Sequence, residues 1–484
     1  MSLHRPAVPN HHNRRTKIVC TLGPASSSRE QLRGLMEAGL NVARLNFSHG
    51  THEQHLTLIE TVRGVAKELG CPVASLGDLQ GPRIRVGDLA APIKLVEGSD
   101  VVLVHEDTAR GSEIPVTYEG LPRDVHVGDR ILLDDGLLEL MVLDVKDGRV
   151  TGRVVHGGPL KSHKGMNLPG IDVSAPSITD KDEADIEFAA RQGLEYLALS
   201  FVRRAADIAS LRRKIPREML ICAKIELDIA LKNIESVAAE TDAIMVARGD
   251  LGVELPFEEV PLAQKRIIQV ANRLGKPVIT ATQMLESMVT HPRPTRAEAS
   301  DVANAIIDGT GAVMLSAETA AGAFPRLAVE AMTRIITEVE THAHPVAALS
   351  AESPVEEEIR GDGRTKTEDA IAAATAAAAE MVGAPCVVVF TKSGFTARVV
   401  SSFRPTVPIL TLTDSERTYR QLALVWGVLP ELVPHCDTYE EMVLHALEAV
   451  RRRGLATTGD RVIVTAGVPF DTPGATNMLK VEKV

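Results

Sequence analysis

The sequence predicts an α/β chain built on a closed barrel of eight parallel strands, and three observations support this fold class. Eight short apolar runs, rich in β-branched residues, alternate with amphipathic stretches. Such strands with helical crossovers form parallel sheets whose two faces are covered. Eight strand–helix units are the number that closes a (β/α)₈ barrel. One long interval after the third run breaks this rhythm, which predicts an inserted domain.

The predicted barrel strands follow one another in chain order: 16–22, 41–47, 73–79, 196–201, 220–225, 243–249, 278–282 and 312–317. Helical periodicity separates most of them, as over 28–38, 180–192 and 261–273. The barrel domain is therefore expected to comprise residues 16–85 and 169–344. Residues 1–15 precede it as a polar, basic arm that lacks the apolar core of a secretory signal.

Residues 86–168 are expected to form an inserted, mostly antiparallel β domain that covers the barrel as a lid. Their pattern is alternating strands separated by turn pairs such as Asp135-Gly136 and Asp147-Gly148. Pro82, Gly87, Gly165 and Gly170 flank the insertion and could serve as hinges.

Residues 345–484 are expected to form a third, smaller α/β domain with a regulatory role. It opens with a polar linker over 345–368 and an alanine-rich helix over 370–382. Strands are predicted over 385–391, 407–413 and 461–467.

Composition narrows the range of partners. The formal net charge of −11 disfavours nucleic acid and anionic membranes, and aromatic residues, at 3%, are too few for a base-stacking platform. The longest apolar runs are too short to span a bilayer. Five scattered cysteines without zinc-ligand spacing indicate a reducing compartment, so we expect a cytoplasmic protein.

Polar and charged residues occupy the ends of the predicted strands, where such a barrel carries its active site. In the run 221-ICAKIELDIA-230, Lys224 and Glu226 stand two residues apart and point to the same side of a strand. A buried charge is costly unless it is paired or holds a ligand. The other strand-end residues of this kind are Arg44, Asn46, Ser48, His49, Asp78, Gln80, Arg83, Arg85, Arg248, Gly249, Asp250, Thr282, Ser316 and Glu318.

Glu226 and Asp250 lie on neighbouring strands and can share one divalent ion. Magnesium binds few carboxylates and keeps positions for water and substrate oxygens. Carboxylates inside a ring of cations suit a metal-bridged phosphoryl group or an enolate. Structural explanations stay open: an ion pair for Arg248, and loop hydrogen bonds for Ser316 and Glu318. No Walker-type loop is present, so a nucleotide must be bound by other means.

Eight motifs stand in a fixed order along the chain: 16-TKIVCTLGPAS-26, 43-ARLNFSHG-50, 78-DLQGPRIR-85, 164-KGMNLPG-170, 223-AKIELDIA-230, 247-ARGDLGVE-254, 281-ATQMLESM-288 and 314-MLSAETAAG-322. In number and order they resemble the pyruvate kinase family, and the resemblance extends from Thr16 to Val484. It implies transfer of the phosphoryl group of phosphoenolpyruvate to ADP, giving pyruvate and ATP, the last step of glycolysis. It also implies a homotetramer.

The resemblance implies a role for each matching residue. Lys224 would stabilise the phosphoryl group in flight and the developing enolate, and Arg44 would contact the phosphoryl group. Glu226 and Asp250 would bind Mg²⁺, for which Mn²⁺ can substitute. The other implied contacts are Gly249, Asp250 and Thr282 at the substrate carboxylate, and Asn46, Ser48, His49, Arg85 and Lys164 at the nucleotide. Thr282, with a water chain toward Ser316 and Glu318, is one route for the proton that converts the enolate to pyruvate.

Two residues depart from the potassium-dependent members of that family. Leu79 stands where they carry Thr, and Arg83 stands where they carry Glu. Leu79 offers no side-chain oxygen and Arg83 brings its own positive charge. We therefore expect no requirement for K⁺, although Asn46, Ser48 and Asp78 match the potassium-dependent members.

The stretch 391-TKSGFTAR-398 resembles a phosphate-binding turn between a strand and a helix. Hydroxyl and backbone N–H groups there could cradle a phosphate, with contributions from Thr391, Lys392, Ser393, Gly394 and Thr396. An ordinary strand–helix turn is the alternative. Related family members use this loop together with a second one, here 467–477, to bind an effector. Phe395 removes a polar contact, which favours a phosphorylated sugar or AMP over a bisphosphate.

Two other functions remain open at the level of sequence. A magnesium-dependent lyase or aldolase would also place Glu and Asp on a metal, but it would not need Arg85, Lys164 or a lid. A non-enzymatic effector-binding protein would be expected to have lost Lys224, Glu226 or Asp250, and all three are present.

Overall fold

The computed structural model describes residues 14–342, 366–436, 438–467 and 476–484. Within these ranges, no helix combines the length and the apolar character that crossing a membrane requires. Most of the predicted linker 345–368 lies outside the described residues, as do residues 1–13 of the predicted arm.

Eight parallel strands close into a barrel, which confirms the predicted fold class. The first strand pairs with both the second and the eighth, and this closes the ring. The strands are Lys17–Thr21, Val42–Asn46, Ala74–Asp78, Tyr196–Leu199, Leu220–Ile225, Ala243–Ala247, Val278–Ala281 and Ala312–Leu315.

Helices surround the barrel, and several begin at the hydroxyl caps that the sequence provides. Ser28, Thr51, Thr179 and Thr295 each accept the backbone N–H of the residue three positions later. The helices of this domain are Arg29–Ala38, His52–Leu69, Asp180–Gln192, Ala205–Arg212, Asp228–Lys232, Ile234–Glu240, Arg248–Glu254, Val260–Arg273, Arg296–Ile307, Ala317–Ala320 and Pro325–His342.

Alternate residues of each barrel strand face opposite sides, which produces two apolar layers. One set fills the barrel interior and includes Leu76, Tyr196 and Cys222. The other set packs against the helices and includes Leu79 and Ala223. This alternation determines which side chains reach the rim at the C-terminal ends of the strands.

The inserted domain follows the third barrel strand and has an apolar core of its own. Six of its strands form one sheet, mostly antiparallel, and two short strands pair separately. The strands are Ile93–Leu95, Asp100–His105, Ile114–Val116, Arg130–Leu133, Leu138–Lys146, Arg149–His156, Gly158–Leu160 and Met166–Asn167, with one short helix, Leu121–Asp124. The segments that enter and leave the domain pair with each other, because Val86 N–H donates to the carbonyl of Lys164 at 2.9 Å.

The C-terminal domain is a five-stranded sheet flanked by helices. The three predicted strands are present, and the sheet has two further edge strands that the sequence did not reveal. The strands are Val387–Phe390, Ile409–Thr413, Val428–Leu432, Arg461–Ala466 and Met478–Lys483, and the helices are Thr367–Met381, Phe395–Ser402, Glu416–Gln421 and Tyr439–Arg452.

The barrel contacts the C-terminal domain at the end opposite the rim. Lys17, on the first barrel strand, donates from Nζ to the carbonyl of Val428 at 2.7 Å, and burial lowers the pKa of this lysine to about 7. Arg15 N–H donates to the Glu340 carboxylate at 2.7 Å, and the Arg15 guanidinium lies over the Trp426 ring. The sequence assigned Arg14 and Arg15 to the arm; both residues instead pack at this junction, with Arg14 only 5% exposed.

Candidate functional site at the barrel rim

The polar ring at the rim continues the interior layers of the barrel. On seven of the eight strands, the residue two positions beyond the last interior apolar side chain is polar, and on the sixth strand that position is Ala247. Thr21 follows Val19, Asp78 follows Leu76, and Lys224 follows Cys222 in this way. The other polar residues in this position are Arg44, Ser200, Gln283 and Ser316. Ser200 and Thr21 were not singled out from the sequence, although counting residues from the interior layer would have found both.

Lys224 lies at the centre of this ring and is buried, with 8% exposure. Its Nζ is 2.7 Å from Glu226 Oε1 and 3.3 Å from Asp78 Oδ1, and it donates to Ser200 Oγ at 2.8 Å. Burial works against the ammonium charge, but Asp78 and Glu226 outweigh it and raise the pKa of Lys224. The lysine is therefore a permanent cation near neutral pH.

Arg44 provides a second cation beside Lys224. Its Nε donates to Asp78 Oδ2 at 2.7 Å, and its NH1 donates to Thr21 Oγ1 at 2.8 Å. Burial alone would raise the pKa of Asp78, but Lys224 and Arg44 together lower it. Asp78 thus holds both cations in place from the third strand.

The two predicted metal ligands face the same region. Glu226 is 1% exposed and accepts the Phe201 N–H at 2.7 Å. Burial raises the pKa of Glu226 and the nearby Asp250 raises it further, whereas Lys224 opposes the shift. A divalent cation bound between Glu226 and Asp250 would offset both the burial of the Glu226 charge and the repulsion between the two carboxylates. This donor set therefore suits a divalent cation. The described residues contain no cluster of three or more His, Cys, Asp or Glu ligands, so water and substrate oxygens would complete the coordination.

Thr282 directly follows the seventh strand and has a strained backbone conformation. Its φ is +67° and that of Gln283 is +55°, in the left-handed region that non-glycine residues rarely occupy. Thr282 Oγ1 accepts the Gly249 N–H at 2.8 Å. Arg248 donates to the Thr282 carbonyl at 2.7 Å and pairs with Asp301 at 2.7 Å. Arg248 is therefore the structural ion-pair partner that the sequence left open, and it supports the strained turn.

Glu318 also has a structural explanation in the fold. Its two carboxylate oxygens accept the N–H groups of Ser316, at 2.6 Å, and Leu285, at 3.1 Å. Burial raises the pKa of Glu318. Ser316 Oγ, in contrast, is buried without a protein hydrogen-bond partner, so it is available to water or ligand.

A cleft of about 440 Å³ separates the rim from the inserted domain. Arg85 and Lys164, which the sequence assigned to the nucleotide, line it together with Asp250 and the exposed Arg83. Lys164 pairs with Asp134 at 2.7 Å, and this hydrogen bond raises the pKa of the lysine.

Asn46 ends the second strand, Ser48 and His49 follow it, and none of the three is among the residues that line this cleft. Asn46 Oδ1 accepts the Ser48 N–H at 3.1 Å, which shapes this turn, and His49 is exposed. Of the five residues predicted to contact a nucleotide, the structure thus places two in the lining of the cleft and three at the end of the second strand.

The loop before the helix Phe395–Ser402 is a compact hydroxyl-rich turn. Thr391 Oγ1 accepts the N–H of Gly394, whose φ is +79°. Ser393 is exposed, whereas Thr396 is buried and accepts a hydrogen bond from Thr476 at 2.9 Å. Residues 468–475 of the second predicted effector loop lie outside the described residues.

Together, the fold and the rim define a barrel enzyme that handles an anionic, phosphorylated substrate with a divalent cation. Family models described as the pyruvate kinase barrel domain and the pyruvate kinase alpha/beta domain match residues 13–329 and 369–482. The chain belongs to the pyruvate kinase family, and it is a phosphotransferase.

Individual relatives agree with this assignment. A pyruvate kinase of Geobacillus stearothermophilus is 48% identical over 97% of this chain and 80% of its own length. One from Staphylococcus haemolyticus is 46% identical over the same shares. The solved structure of a pyruvate kinase from Cryptosporidium parvum superimposes with a TM-score of 0.92 at 36% identity, covering 100% of this chain and 99% of the other.

Proposed function

We propose that the rim transfers the phosphoryl group of phosphoenolpyruvate to ADP, giving pyruvate and ATP. The observation that carries the proposal is the buried Lys224 ammonium, held at 2.7 Å from Glu226. Glu226 in turn accepts the N–H of Phe201, which lines the cleft together with Arg85 and Lys164. Phosphoryl transfer needs positioning and charge neutralisation more than covalent catalysis, and this arrangement supplies both.

Glu226 and Asp250 are the proposed ligands of Mg²⁺, with Mn²⁺ as a substitute. When bound, the ion neutralises charge on the phosphoryl oxygens and on the developing enolate. Glu226 is already buried and is oriented by the Phe201 N–H, and Asp250 is partly buried at the cleft. Little reorganisation is therefore needed when the substrate arrives.

Lys224 and Arg44 are the proposed cations that contact the transferring phosphoryl group. Both are fixed by Asp78, so their charges converge on one point above the rim. Gly249, Asp250 and Thr282 are proposed to hold the substrate carboxylate. The Gly249 N–H now donates to Thr282 Oγ1, and the carboxylate would compete for these donors.

The nucleotide is proposed to bind between the two sets of residues that the cleft separates. Asn46, Ser48 and His49 approach it from the barrel, and Arg85 and Lys164 approach it from the lid. Rotation of the lid about its paired connecting segments would bring the two sets together and exclude water.

Thr282 is the proposed route for the proton that reaches the enolate, through water beside Ser316. Ser316 Oγ is buried and open to such a water, while the Glu318 oxygens are occupied by backbone donors. Glu318 is therefore a weaker participant than its position in the sequence suggests.

Two further properties are proposed on the family resemblance: a homotetramer and an effector site in the C-terminal domain. Independence of K⁺ is proposed from Leu79 and Arg83, which depart from the potassium-dependent members, and a phosphorylated sugar or AMP as effector is proposed from Phe395. A cytoplasmic location is also proposed. The free state of all five cysteines supports a reducing compartment.

The test of the proposed site is ATP formation from phosphoenolpyruvate and ADP, with and without Mg²⁺, in Glu226→Gln and Asp250→Asn. Each variant should lose at least two orders of magnitude in kcat, on the scale of losing one preorganised electrostatic contact. Glu60→Gln, which changes an exposed carboxylate on a barrel helix, is the matched control. Full activity without a divalent metal, or in either carboxylate variant, would contradict the assignment.

A further inference from the structure

Ser200 is a buried polar residue that the proposed mechanism does not use. It directly follows the fourth barrel strand, Tyr196–Leu199, two residues after the interior-facing Ala198, and it is 2% exposed. Its hydroxyl stands between two polar groups: Lys224 Nζ donates to Ser200 Oγ at 2.8 Å, and Ser200 Oγ donates to the Leu79 carbonyl at 2.7 Å.

The direction of these two hydrogen bonds is determined by proton count. A serine hydroxyl has one proton, and the Leu79 carbonyl can only accept. The hydroxyl proton is therefore committed to Leu79, and the oxygen lone pairs face Lys224. Leu79 itself is held by its N–H bond to the Ala198 carbonyl at 3.0 Å. The backbone of the third and fourth strands thus fixes the position of Ser200 Oγ, the oxygen that accepts from Lys224.

The ammonium of Lys224 has three N–H donors and lies close to three groups that can accept from it: it donates to Ser200 Oγ and forms ion pairs with Glu226 and Asp78. These are Glu226 Oε1 at 2.7 Å, Ser200 Oγ at 2.8 Å and Asp78 Oδ1 at 3.3 Å. Two acceptors are carboxylates and the third is neutral. A third carboxylate would hold the lysine as well but would cancel charge that must act on the phosphoryl group.

We propose that Ser200 is a positioning residue for phosphoryl transfer, which fixes the Lys224 ammonium without neutralising it. The inference rests on the proposed role of Lys224 and adds a specific contribution of one hydroxyl. Asp78 is the most distant of the three acceptors and already binds Arg44, so its contact is the one that an incoming phosphoryl oxygen would replace. Ser200 and Glu226 would keep the Lys224 ammonium oriented toward the phosphoryl group while the contact with Asp78 is replaced.

The experiment compares Ser200→Ala, Ser200→Thr and Ser75→Ala by steady-state kinetics and thermal unfolding. Removing a hydrogen bond to a charged group should lower kcat about 10- to 100-fold, with KM for ADP unchanged within about twofold. Ser200→Thr keeps the hydroxyl and should recover most of the loss. Ser75, a buried serine on the third strand with the opposite parity, is the matched control, and Ser75→Ala should retain kcat.

Lys224→Met is measured in parallel, so that a failure of the proposed role of Lys224 can be distinguished from a failure of the inference on Ser200. If Lys224→Met retains activity, the proposed role of the lysine is wrong. If Lys224→Met is inactive and Ser200→Ala keeps kcat within about twofold, only the inference on Ser200 is overturned. An equal loss in Ser75→Ala, or a fall in kcat that merely follows a loss of thermal stability, would also overturn it. Should Ser200→Ala fail to fold, Ser200→Cys replaces it under the same criteria, because a thiol is a weak acceptor of similar size.

Discussion

Lys224 combines burial with a full positive charge at the rim. Taking an ammonium out of water is unfavourable, but two carboxylates and one hydroxyl compensate it here. The same contacts that stabilise the charge also determine where it points. A sequence pattern can identify such a lysine at a strand end, but it cannot show which acceptors meet it.

Lys224→Met should nearly abolish phosphoryl transfer. Loss of a transition-state charge contact costs about 3–4 kcal/mol, or roughly two to three decades in kcat. The expected result is a folded protein with kcat reduced by that factor, measured beside Lys67→Met, which removes an exposed lysine from a barrel helix. Turnover near the wild-type value would show that the lysine does not act on the phosphoryl group.

Activity should persist in potassium-free buffer with Mg²⁺ present. The sequence attributed this independence of K⁺ to both Leu79 and Arg83. In the structure, the Leu79 side chain is 1% exposed and packs in the layer between strands and helices. A side chain at position 79 therefore faces away from the rim, and the positive charge of Arg83 in the cleft carries the argument. Arg83→Glu should introduce a K⁺ requirement, whereas Leu79→Thr should not. Strong activation of the unmodified protein by K⁺ would disprove the proposal.

At the scale of elements, the sequence predicts the strands whose composition is continuous and apolar. All eight barrel strands were predicted, because buried parallel strands need apolar residues on both faces. The strands Val428–Leu432 and Met478–Lys483 were missed because they lie at the edges of their sheet. Pro430 interrupts the first, and polar residues alternate through the second, as edges tolerate.

The helix Arg248–Glu254 connects the rim to the lid, and it carries a titratable group of its own. Glu254 is 8% exposed, lines the cleft and accepts a long hydrogen bond from Asn167 of the lid at 3.4 Å. Burial raises the pKa of Glu254 to about 7 from an ordinary value of 4.5. The native state therefore binds this proton more tightly than the unfolded chain does.

Ionisation of Glu254 should lower the free energy of unfolding as pH rises from about 4.5 to about 7, and this loss of stability should stay constant above that range. The cost is at most about 3 kcal/mol, at 1.36 kcal/mol per pH unit. Glu254→Gln should therefore unfold at a higher temperature than the wild type at pH 8.5, and the difference should shrink at pH 5. Thermal unfolding at both pH values measures this, with Glu60→Gln as control. An advantage of the variant that does not change with pH would show that burial does not perturb the carboxyl group.

At the scale of the whole molecule, the proposed reacting groups and the C-terminal domain lie at opposite ends of the barrel strands. Lys17 begins the first strand and donates to Val428, while Thr21 ends that strand and accepts from Arg44. Arg404 adds a second junction contact, with its guanidinium 4.4 Å from the centroid of the Trp426 ring. The first barrel strand therefore joins the junction with the C-terminal domain directly to the rim.

A phosphorylated effector bound at the turn 391–394 should lower the phosphoenolpyruvate concentration needed for half-maximal rate. The turn presents the exposed Ser393 before the helix Phe395–Ser402, and coupling between two sites of this kind typically changes affinity about 5- to 150-fold. Glucose 6-phosphate, ribose 5-phosphate, AMP and fructose 1,6-bisphosphate are compared by calorimetry and by kinetics. We expect a monophosphate to bind and to shift the curve.

Ser393→Asp should abolish both effects, because it places a negative charge where the phosphate would lie. Ser27→Asp, at an exposed serine of the barrel domain, should leave them unchanged. If none of the compounds binds or shifts the curve, the turn is an ordinary strand–helix connection. If only the bisphosphate acts, the site is correct and the inference drawn from Phe395 is wrong. If Ser27→Asp has the same effect as Ser393→Asp, the loss reflects net charge, and the phosphate does not bind at the turn.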